Sequence, residues 1–136
     1  MEAIAKIANT IPDTEVRVCR RLDLGDVIHQ GDVYLHRVAD NHHRGAELGT
    51  RKVAVGEGEG SNHIVEGPVR VYRGAKFPPS VDFSWAQSNP DCLGPVVVAD
   101  EECVVTHPKH SHHRIPSGVY QVTYQRDEAT RQRVVD

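Results

Sequence analysis

The sequence predicts an all-β fold, a small sandwich or barrel of about eight short strands with short terminal helices or arms. Three observations predict it. Short runs rich in Val, Ile, Thr and Tyr alternate apolar with polar residues between Glu15 and Arg126. Turn clusters such as Gln30-Gly31-Asp32, Gly67-Pro68 and Asn89-Pro90-Asp91 punctuate those runs at near-regular spacing. No apolar repeat at helical period is long enough to compete with this strand pattern.

The elements follow in chain order. Ile4, Ile7, Ala8 and Ile11 recur at helical spacing until Pro12 ends the pattern, so residues 1–14 read as an N-terminal arm or short helix. Eleven residues do not hold a helix alone, and Ile4, Ile7 and Ile11 therefore need a surface to cover, either their own body or a neighbouring subunit. Residues 15–126 form the β-domain. Val16 to Arg20 alternates as a half-buried strand does, and Val27 to Val38 gives two strands around a Gln30-Gly31-Asp32 turn or bulge. His29 and His36 are expected on the solvent side, and Ala39 to Gly45 is expected as a polar loop carrying a surface His42-His43 pair. Arg51 to Val55 enters Gly56-Glu57-Gly58-Glu59-Gly60, a backbone-exposed turn that lacks the Gly-Lys-Ser/Thr of a phosphate loop. Two strands around Gly67-Pro68 come next.

Residues 73–95 hold Pro78, Pro79, Pro90 and Pro95 with Phe77, Phe83 and the single tryptophan, Trp85. Such a loop packs hard on the body or on a partner. Val96 to Ala99 and Cys103 to Thr106 are expected as a hairpin around Asp100-Glu101-Glu102. In the last strand, Tyr120, Val122 and Tyr124 form the apolar side. Residues 127–136 are the C-terminal tail, expected as a short helix capped by Asp127.

Composition narrows the function classes. At 136 residues the chain is one domain, with 16 basic and 19 acidic side chains and no block of like charge. That balance argues against nucleic acid or an anionic membrane as partner. Three cysteines without a close pair fit reduced thiols in a cytoplasm, and neither a signal peptide nor a membrane span is evident. The expected location is a cytoplasm.

The stretch from Thr106 to Tyr120 carries His107, His110, His112 and His113 ahead of Ile115-Pro116-Ser117-Gly118-Val119-Tyr120-Gln121-Val122. With Gln30-Gly31-Asp32-Val33, the Gly60-Ser61-Asn62-His63 turn, His107-Pro108-Lys109-His110, Gln125-Arg126 and Arg133-Val134-Val135-Asp136, the chain resembles an uncharacterised family of small bacteriophage, prophage and bacterial proteins. The resemblance spans roughly residues 29–136. It implies a shared fold, a phage-type ancestry and a location in the cytoplasm of a bacterial host or incorporated in the virion, and brings no activity. At Ser61 this chain lacks one histidine of the family's Gly-His-x-His turn.

His63, His107 and His110 are the histidines at the motif positions, and three imidazoles with an open position are what a zinc or iron centre would use. The competing reading is a set of hydrogen bonds joining the Gly-rich and His-rich loops. No cofactor beyond that metal is expected, and no serine or cysteine stands in an activating context. The expectation is therefore a non-enzymatic, protein-binding β-domain, most concretely a capsid-associated decoration or other virion accessory protein. Its partner would be itself or a capsid protein, reached through Ile4, Ile7 and Ile11. The alternatives are a small metal-dependent β-barrel enzyme using the three histidines and a small-ligand sponge with a pocket between the two loops.

Overall fold

A computed structural model describes residues 16–55, 62–127 and 132–133. The arm residues Ile4, Ile7 and Ile11 and the Gly-Glu turn at 56–61 lie outside the described residues. The strands are β1 (Val16–Val18), β2 (Val27–Gln30), β3 (Val33–Val38), β4 (Arg44–Leu48), β5 (Lys52–Val55), β6 (Asn62–Glu66) and β7 (Val69–Gly74). A short helix α1 (Phe83–Ser88) and a 3₁₀ turn (Pro90–Cys92) precede β8 (Leu93–Ala99), β9 (Cys103–Thr106), β10 (His112–Ile115) and β11 (Gly118–Tyr124). A two-stranded ribbon, β12 (Arg126–Asp127) with β13 (Gln132–Arg133), follows.

Two open sheets make the body, and the architecture is a sandwich rather than a closed barrel. One has the order β1-β10-β9-β6-β5, the other β2-β3-β11-β8-β7-β4. All described pairings are antiparallel except β1 on β10. The main core lies between the sheets. Val33, Leu35, Val71, Val97, Tyr120 and Val122 from the larger sheet meet Val53, Val65, Cys103, Val105 and Ile115 from the smaller one. Fully burying each such aliphatic side chain contributes about 1.5–3 kcal/mol, which is what drives the sheets together. The predicted apolar side of the last strand, Tyr120, Val122 and Tyr124, faces this core.

The opposite side of the larger sheet is also covered. Val119, Gln121 and Thr123 alternate away from the core yet are buried, as is their cross-strand neighbour Val38. His42, in the loop after β3, reaches both Gln121 and the Lys76 carbonyl and so ties the segment after β7 to this side. Trp85 packs its edge against Phe77, with ring centroids 6.1 Å apart and planes at 89°, and both contact the core rim. Of the two surfaces expected for this loop, Phe77 and Trp85 thus pack on the body, partly buried.

Several local expectations change. The described helix is mid-chain, not terminal: Asp82 caps it by accepting from the Trp85 N–H, and Asn89 closes it on the Trp85 carbonyl. Six residues are too few for a helical period to be read. In the tail, Arg126–Asp127 and Gln132–Arg133 pair as the β12–β13 ribbon where a helix capped by Asp127 was expected, and residues 128–131 and 134–136 lie outside the described residues. Arg44 to Leu48 is a strand along β7, so the polar loop is shorter than expected. The runs flanking Asp100-Glu101-Glu102 are not a hairpin, because β8 belongs to the larger sheet and β9 to the smaller. Gly67, at φ +125°, makes a similar crossing from β6 to β7, and it does so against Cys103.

Candidate functional site

The register of the smaller sheet brings the predicted histidines together. β6 and β9 pair Ile64 with Thr106, and one step further along that register His107 stands opposite His63. His110 follows in the turn before β10. The ring centroids of His63 and His107 are 4.3 Å apart, those of His107 and His110 4.5 Å, and those of His63 and His110 6.0 Å. His63 and His107 are buried, and His110 is half-buried.

Two residues read from sequence as a turn and as part of a family motif, with no site role, complete this cluster. Gln30, the last residue of β2, is buried, and its amide nitrogen donates to the Val105 carbonyl at 3.0 Å and the Ser111 carbonyl at 2.7 Å. Both partners are acceptors, so the amide orientation is settled and its oxygen must accept. It does so 2.8 Å from His63 Nδ1, which therefore carries a proton. Gln30 thus stitches the larger sheet to β6, β9 and the His-rich turn at once. Asp32 opens β3 from the other side of the Gly31 turn and is 3% exposed; its Oδ1 stands 3.5 Å from His63 Nε2 and makes no hydrogen bond with the described residues. His107 differs in its tautomer. Its Nδ1 accepts the Lys109 N–H at 3.0 Å, which puts the proton of the neutral ring on Nε2. Among the described residues, no group of three or more His, Cys, Asp or Glu side chains is already set to hold a metal ion.

The remaining histidines divide differently from the sequence reading. His29 is exposed as expected, but His36 is buried with Nε2 2.8 Å from the Thr123 hydroxyl. Burial holds the His36 imidazole below its ordinary pKa. His42, expected as surface, is buried between Lys76 and Gln121, whereas His43 is exposed. His112, on β10, is fully buried with no hydrogen-bond partner at either ring nitrogen among the described residues, and burial lowers its pKa as well. No cysteine is disulfide-bonded among the described residues. Burial, with the Glu102 charge adding to it, pushes the Cys103 thiol up to about 12, so at neutral pH it stays protonated and unreactive.

The second feature is on the surface. Phe77, Pro79, Val81, Phe83 and Ala86 line an apolar groove of about 370 Å³ beside α1. Phe83 is 74% exposed there. No described helix is long and apolar enough to cross a membrane.

A family model described as a domain of unknown function, DUF8820, matches residues 29–125, and the chain belongs to that family. The match begins one residue before Gln30 and ends two after Thr123, so it contains every residue of the polar cluster and the α1 groove. No curated protein and no solved structure matches the chain.

Proposed function

We propose that this member of the DUF8820 family is a non-enzymatic protein-binding sandwich, most concretely a capsid-associated decoration protein or another virion accessory protein. One observation carries the binding reading: Phe83, 74% exposed, lines with Phe77, Pro79 and Val81 a mainly apolar groove that Lys76 and Gln87 also border. The chain has only seven aromatic residues, two Phe, four Tyr and one Trp, and α1 turns one of them outward. A capped two-turn helix held by Asp82 and Asn89 presents it on a fixed platform. Large aromatic side chains at the centre of a desolvated contact carry most of an interface's energy. The virion context comes from the resemblance of the His107-Pro108-Lys109-His110 and Ile115-Pro116-Ser117-Gly118 segments to phage and prophage proteins.

The test is co-sedimentation of the full chain with capsids produced from the genome that encodes it. Wild-type protein is expected to travel with the particles. Phe83→Asp should keep the far-ultraviolet spectrum and melting temperature while losing at least tenfold in apparent affinity. Equal binding by wild type and Phe83→Asp removes the groove from the contact. Absence of wild-type binding removes the virion role.

A further inference from the structure

We propose that the pocket between the larger sheet and α1 binds a small aromatic carboxylate, with Arg126 as its charge anchor. This site is separate from the Phe83 groove and does not depend on the protein-binding reading. Its floor follows from strand register. β2 sets Val27 across from His36, and β11 sets Thr123 across from Tyr34, so these four side chains share the outer face of the larger sheet. The segment after β7 brings Val81 and Trp85 over that face, and a pocket of about 370 Å³ remains between them. That volume lies within the usual range of small-molecule sites, about 300–1,000 Å³.

The polar part of the lining favours an anion. Arg126 enters it just past β11, where the Gln125 N–H donates to the Asp32 carbonyl at 2.9 Å and fixes the point at which the chain leaves the sheet. Arg126 is half-buried, and its Nε is buried without a hydrogen-bond partner among the described residues. It takes part in none of the ion pairs of the described residues, and no acidic side chain among them lines the pocket. A guanidinium does not shed its charge, so one held half-buried without a counter-ion favours an anionic guest. Its planar fork fits a carboxylate through two parallel N–H···O bonds.

His36 supplies a second nitrogen. Its Nε2 lies 2.8 Å from the Thr123 hydroxyl, and its Nδ1 is buried without a partner among the described residues. With Thr123 donating to Nε2, the neutral ring carries its hydrogen on Nδ1 and offers a donor without becoming charged. The remaining walls are apolar or aromatic, with Tyr34 and Trp85 giving ring surface and Val27 and Val81 giving aliphatic surface. A bare inorganic anion would leave those walls uncovered. A neutral aromatic molecule would leave Arg126 uncompensated. A ring that bears a carboxylate meets both demands at once.

Trp85 is the single tryptophan, so its emission reports on this pocket. Full-length protein is titrated with sodium phenylacetate and, in parallel, with phenylacetamide and sodium acetate. Phenylacetate is expected to give a saturable change, with the amide and acetate each weaker by about tenfold or more, as loss of a charge-assisted pair or of the ring contact requires. Arg126→Gln should bind phenylacetate no better than phenylacetamide, and Arg126→Lys should recover part of the preference. Phe83→Ala should bind as wild type does, because Phe83 is not part of this lining. Four results overturn the proposal: no saturable change, equal affinity for phenylacetate and phenylacetamide, wild-type affinity in Arg126→Gln, or a loss in Phe83→Ala as large as that in Arg126→Gln. Should Arg126→Gln fail to fold, the comparison of acid with amide on wild type still decides it.

Discussion

His36 shows how one buried imidazole links the fold to pH. Its Nε2 is hydrogen-bonded to Thr123, its Nδ1 has no partner among the described residues, and burial lowers its pKa. In the unfolded chain a histidine titrates near about 6.5. Between that value and the lower folded one, the unfolded state binds more protons, so stability rises with pH. The contribution is complete above about 6.5 and is lost as pH falls toward the folded value. The melting temperature should therefore drop from pH 7 to pH 5, and His36→Gln should flatten part of that slope while lowering the pH 7 value only slightly. A slope identical in wild type and variant would assign the acid sensitivity elsewhere. The sequence misplaced this residue because alternation along Val33 to Val38 is mixed on both faces, and nothing in one strand tells that a later segment roofs its outer side. His63, His107 and His110 were legible as a group through the motif positions of the family that the sequence resembles. Asp32 and Gln30 were not, since their burial appears only when the β2–β3 turn closes onto β6 and β9.

At the level of elements, the hairpins and crossings depend on contacts that local chemistry does not announce. The Gln30-Gly31-Asp32 turn is read correctly because Gly31, at φ +60°, is what a tight connection between β2 and β3 requires. The segments at Gly67-Pro68 and Asp100-Glu101-Glu102 carry equally good turn signals, yet both pass from one sheet to the other. A turn signal reports reversal and not the partner. β8 shows a second dependence. Its register against β11 shifts between Gln121 and Thr123, and the Gln121 amide nitrogen donates to the carbonyls of Gly94 and Pro95 beside that irregularity. The backbone of β7 approaches this place so closely that a Cβ on Gly74 would run into the Gly94 carbonyl oxygen. Gly74→Ala should cost about 3 kcal/mol, the upper end of overpacking penalties, because the obstacle is main chain and cannot rotate away. Chemical denaturation of the purified variant measures it. A loss below about 0.5 kcal/mol would mean that β7 and β8 separate freely at this point.

At the scale of the whole molecule, the described residues close a core between the two sheets. β1 is the first described strand and lies at the edge of the smaller sheet, where β10 is its one neighbour among the described strands. The Ile4, Ile7 and Ile11 pattern ahead of it lies outside the described residues, and a neighbouring subunit is the surface we propose it covers. Burying three isoleucines contributes about 4–8 kcal/mol before ordering costs, enough to shift an assembly equilibrium by orders of magnitude. Native mass measurement should show wild type as a homo-oligomer whose residues 1–14 resist protease. The free subunit obtained by dilution should be cut there. Removal of residues 1–11 should yield a monomer whose far-ultraviolet spectrum remains that of a β-protein. If the truncated chain instead unfolds, the isoleucines belong to the body of their own subunit. Association would then have to run through Phe83 and the α1 groove.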